Sequence, residues 1–68
     1  MTDTTELQDK ISESGMKLVK IANKLGVSTV TLRKKMQNEV EFKASEITKL
    51  SAILHFTTDE TMRIFFVE

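Results

Sequence analysis

Not one of the 68 residues is a cysteine, and this limits the ways so short a chain can hold a shape. Below about 70–80 residues a single hydrophobic core supplies roughly 3–5 kcal/mol, and most short chains add disulfides, a structural metal or a partner. Without thiols the disulfide framework and every thiolate metal site are excluded. Good helix packing remains, or association with another chain. A substrate-enclosing site needs several polar groups held in fixed geometry, and one small domain leaves little scaffold for it. The single histidine, His55, has no cysteine to work with, which removes most nucleophile–base pairings. The reading is a binding domain rather than an enzyme, with no cofactor and no metal site.

No apolar run approaches the roughly 18–20 residues needed to cross a bilayer. The opening MTDTTELQDK is acidic and polar, unlike a signal or transit peptide. A soluble, cytosolic protein is the expectation.

The net charge of zero conceals a segregation. Residues 1–14 carry four acids against Lys10. Residues 15–38 carry Lys17, Lys20, Lys24, Arg33, Lys34 and Lys35 with no acid at all. Residues 39–68 carry six acids against three cations. A basic centre between acidic flanks predicts a polarised surface rather than a uniformly basic one.

Hydrophobic spacing and helix punctuation predict five short helices and an all-α fold. Asp3-Thr4-Thr5-Glu6 has the form of a reciprocal N-terminal cap, with Leu7 and Ile11 as an apolar pair behind it and Gly15 as the stop. A second helix runs from about Lys17 to Leu25, with Leu18, Ile21, Ala22 and Leu25 on one face, and Gly26 ends it. Ser28 caps a third helix from Thr29 to about Gln37. Only Leu32 and Met36 of this helix look inward, while Val30, Arg33, Lys34 and Gln37 occupy the outward arc with Thr29 at its start. Residues 38–43 form a loop. A fourth helix starts near Ser45, with Ile47, Leu50, Ile53 and Leu54 as its buried face, and His55 at its end meets terminal carbonyls. Thr57-Thr58-Asp59-Glu60 reads as a capping box for a fifth helix to about Phe65, with Met62 and either Phe65 or Phe66 turned inward. Ile64-Phe65-Phe66-Val67 also reads as a strand, but a lone strand has nothing to pair with.

Residues 17–37 have the form of a helix-turn-helix. Ala22 is small enough for close helix approach, Gly26 takes the turn, Val27 plugs the angle and Leu32 anchors the second helix on the first. With Gly15-Met16, the Asn38 loop, Ser45-Glu46-Ile47 and Ile64-Phe65-Phe66, this resembles the small Cro/repressor-type regulators of temperate phages. Within them it is most similar to the modulator-of-repression proteins of lactococcal phages. The resemblance covers roughly residues 5–66.

The resemblance implies a single helix-turn-helix domain over residues 1–68, in a bacterial host's cytoplasm, that acts together with a phage repressor. It implies base reading by Thr29, Val30, Arg33 and Lys34, with Gln37 on the same arc. Phosphates would be gripped at Lys17 and at the backbone of Ser28. Two departures weaken phosphate contact. Leu18 stands where the family commonly has a glutamine, and Asn38-Glu39-Val40-Glu41 where it commonly has an Asn-Gly-Lys type of loop.

These departures separate two readings. In the first the chain is a modulator of repression, or antirepressor, that binds the repressor's DNA-binding domain and alters operator occupancy. Glu39, Glu41 and Glu46 would then imitate phosphates, and Phe66 would belong to a dimer or heterodimer contact. In the second the chain is a Cro-type homodimer that reads operator DNA in the major groove. A toxin–antitoxin or inhibitor module is a third class, and the chain offers no toxin-neutralising extension for it.

Overall fold

Asp3 opens the first helix: its carboxylate accepts the Glu6 backbone N–H at 3.0 Å, satisfying one of the donors that a helix N-terminus leaves bare. The computed structural model describes residues 1–67, and among them it is all-helical. The helices are α1 (Thr4–Ser14), α2 (Leu18–Leu25), α3 (Thr29–Met36), α4 (Ala44–Ile53) and α5 (Thr58–Phe65). No strand forms among the described residues. The Ile64–Val67 stretch continues the helix through Phe65, and then gives one backbone hydrogen bond from Val67 to the Met1 carbonyl.

Each helix contributes one fully buried aliphatic side chain to the centre: Leu7, Ile21, Leu32, Leu50 and Ile64. Ile11, Ala22, Leu25, Met36 and Phe65 complete the core, and half-buried Met16, Leu18, Val27, Ile47 and Ile53 close around it. The α2 helix packs against both α3 and α4, and α1 packs against α3 and α5. Between α2 and α3 only residues 26–28 intervene. Gly26 reverses the chain there at φ 79°, a region that costs glycine little. The Val27 N–H then returns to the Ala22 carbonyl at 3.0 Å, so the turn is closed by hydrogen bonds as well as by packing.

Four details differ from the sequence reading. The α1 cap is not reciprocal: Glu6 reaches across to Arg63 on α5, where Nε and Nη2 donate to its carboxylate at 2.6–3.1 Å. A guanidinium offers a bidentate, charge-assisted partner, which a single backbone N–H does not match. The Asp3 N–H instead donates to the Ile64 carbonyl. On α5, Ile64 takes the inward position expected of Met62, which is 55% exposed. On α4, Glu46 is buried beside Leu50, whereas Ile47, Ile53 and Leu54 are half-buried. His55 takes a left-handed φ of 58° past the end of α4, and its backbone N–H rather than its ring meets a terminal carbonyl, that of Ala52.

A second tie joins α1 to α5. Lys10 Nζ sits 2.9 Å from Glu60, whose carboxylate also accepts the Thr57 N–H in a complete capping box. The Thr57 N–H, then Lys10, hold the Glu60 carboxyl down at about 2, against an ordinary value of 4.5. The Arg63 hydrogen bonds likewise hold Glu6 below its ordinary value. A carboxyl depressed in the folded state adds stability above its unfolded value and loses it as pH falls. Thermal melting should therefore drop as pH falls from about 4.5 toward 2, with a shallower drop for Glu60→Gln. Parallel profiles for the two proteins would remove this link.

Candidate functional site

Ser28 fixes the start of α3, accepting the Thr31 N–H at 3.0 Å and donating to the Thr31 hydroxyl at 2.9 Å. Leu32, Lys35 and Met36 point inward, so Val30, Lys34 and Gln37 form the crest of the exposed arc. Val30 is 64% exposed. Arg33 lies on the α1 and α2 side of that crest, beside Leu18 and Met36. Thr29 is half-buried at the first turn, and Lys17 is the exposed residue before α2. The structure thus brings Val30, Arg33, Lys34 and Gln37 onto one helix surface, with Thr29 and Ser28 at its leading end.

Of the six cations in residues 15–38, five stay exposed with no salt bridge among the described residues: Lys17, Lys20, Lys24, Arg33 and Lys34. Lys35 is the exception. Its ammonium is buried and donates to Glu46 at 2.5 Å. Glu46 also accepts the Lys43 N–H at 2.8 Å, closing the first turn of α4. Burial pushes the Glu46 carboxyl up, but the hydrogen bonds from Lys35 and Lys43, together with their charges, outweigh it and leave it below the ordinary range. Glu46 is therefore not a surface phosphate mimic. It is the internal counter-ion that joins α3 to α4, because Lys35 falls on the inner arc of α3 and needs a partner there.

Glu41 and Phe66, distant in the chain, line the same cleft of about 240 Å³. Phe42, Ile47 and Phe65 form its apolar wall, and Phe42 meets Phe65 edge to face at 5.3 Å. Phe65 is core, whereas Phe66 is 54% exposed, which divides the two aromatics as their adjacency suggested. Glu39 is exposed just before the cleft, and its backbone N–H closes the end of α3 on the Lys34 carbonyl at 2.9 Å.

The sequence gives no hint of what builds the far side of this cleft. Asn38 adopts a left-handed φ of 62°. Its amide then pairs with Thr2 as a strand would, accepting the Thr2 N–H at 2.9 Å and donating to the Thr2 carbonyl at 2.8 Å. Met1 is thereby held at the cleft edge, beside Phe66. Asparagine tolerates the left-handed region, so the turn at 38 is legible from residue type. Its partner 36 residues away is not.

No group of three or more histidine, cysteine, aspartate or glutamate side chains suited to a metal occurs among the described residues. No described helix is long and apolar enough to cross a membrane. No protein-family model matches the chain, and comparison with curated proteins finds no match.

Proposed function

We propose that this chain is a transcriptional regulator of a temperate phage's lysis–lysogeny switch, a modulator of repression with a Cro/repressor-type helix-turn-helix. It binds the DNA-binding domain of the phage repressor in the host cytoplasm and alters operator occupancy. The observation that carries this reading is the cleft where Glu41 meets exposed Phe66. Met1 and Val67, joined backbone to backbone, and Val40, next to Glu41 in the chain, add exposed apolar surface. Exposed apolar area beside charge marks a contact surface for another macromolecule. A domain that grips DNA must be basic, so an apolar cleft edged by Glu41, with Glu39 nearby, is complementary to it.

Calorimetric titration with the repressor's DNA-binding domain tests this. Phe66→Ala should weaken binding by about 2 kcal/mol, or roughly thirtyfold, as expected for a central aromatic anchor. Glu41→Lys should weaken it too and reverse its salt dependence. Wild-type affinity in both variants would contradict the reading.

A second reading, a Cro-type homodimer on operator DNA, is favoured by one observation: five exposed cations around α2 and α3 that make no salt bridge among the described residues. On that reading the chain alone binds operator with a steep loss of affinity in salt, and Arg33→Ala abolishes the complex.

A further inference from the structure

A second groove lies between α1, the start of α2 and the end of α3, well apart in residue content from the Glu41 and Phe66 cleft. Its volume is about 270 Å³, below the ~300–1,000 Å³ of small-molecule sites, which suits one or two side chains. Ile11, Leu18 and Met36 supply an apolar floor, and Arg33 stands at the edge. Arg33 is exposed and makes no salt bridge among the described residues, and the same holds for Lys34, which follows it in the chain, and for Lys17, which precedes Leu18.

We propose that this groove docks an acidic, amphipathic helix of a partner protein, with an apolar side chain seated on Leu18 and Met36 and a flanking carboxylate on Arg33. Charge complementarity selects the occupant: the one charged residue of the lining, Arg33, is a cation with no counter-ion among the described residues, so the segment that covers it brings an anion. The floor selects protein over nucleic acid. A DNA backbone offers phosphates and sugars, and neither gains by contact with Ile11, Leu18 and Met36. At the head of α2 the half-buried Leu18 offers an alkyl chain and no side-chain donor for a phosphate. The proposal is independent of the modulator reading, because it uses none of the residues of the Glu41 cleft.

The probe is a synthetic helical peptide with leucines at i and i+4 flanked by glutamates, titrated into the whole protein labelled for amide and methyl NMR. A control peptide carries lysines in place of the glutamates. The expected result is saturable shifts at Ile11, Leu18, Arg33 and Met36 with the acidic peptide alone. Arg33→Glu should weaken that binding by about fivefold or more, as the loss of an ion pair with added repulsion implies. Leu18→Gln should weaken it as well, provided its melting shows that it folds, and Arg33→Glu tests the groove without touching the core. Absence of saturable shifts at these residues would overturn the proposal. So would shifts confined to the Glu41 cleft, or stronger shifts at the same groove residues with duplex DNA.

Discussion

Glu46→Ala should leave most of the protein unfolded at room temperature. The Lys35 and Glu46 side chains are 5% and 9% exposed, so removing the carboxylate strands an ammonium in the core. Breaking a buried pair from one side costs about 3–5 kcal/mol. That matches the whole stability of roughly 3–5 kcal/mol that a domain of this length commands. The variant also loses the acceptor for the Lys43 N–H at the start of α4. The double variant Lys35→Met/Glu46→Leu should recover most of the loss, since a well-packed apolar pair replaces a buried ion pair at little cost. Urea unfolding followed by circular dichroism reads both. A Glu46→Ala protein as stable as Glu41→Ala would place Glu46 at the surface after all.

Leu32→Ala should be nearly as damaging. Leu32 is one of the five fully buried side chains, one per helix, that meet at the centre. Truncating such a leucine costs about 2–5 kcal/mol, because the cavity collapses only in part. Two residues away, Val30→Ala should change stability by less than about 0.5 kcal/mol, since that side chain is exposed. The contrast between the two melting curves tests whether α3 is oriented as described. Equal losses would mean that α3 is rotated about its axis.

These two residues mark the boundary of what the sequence makes legible. Leu32 and Met36 stand four apart in a helix with few other apolar residues, so helical spacing alone turns them inward. Gly26, Ser28 and Thr57 announce their turn and caps by residue type. Lys35 and Glu46 give no such signal. Three consecutive basic residues look uniformly solvated, and only the fold, which sets Glu46 of α4 beside the inner side of α3, singles out Lys35, the last of them. The exchange of Glu6 from its own cap to Arg63, 57 residues away, is hidden for the same reason. Long-range polar pairs carry no local pattern.

The candidate surfaces divide similarly. Val30, Arg33, Lys34 and Gln37 share one arc because helix geometry requires it. The meeting of Glu41 with Phe66 depends on Asn38 pinning Thr2, and on α5 ending where the N-terminal segment passes. The basic α2–α3 surface and the Glu41 cleft draw on separate residues, so variants can address each alone.

The most direct measurement is a fluorescence-anisotropy titration onto the intergenic DNA beside the gene for this protein, at two salt concentrations, with and without the phage repressor proposed as its partner. A modulator binds that DNA weakly by itself and changes the repressor's occupancy in proportion to its concentration, and Phe66→Ala loses that effect. Tight, salt-sensitive binding by the chain alone, with the repressor's titration unchanged, would contradict the account and leave an operator-binding protein in its place.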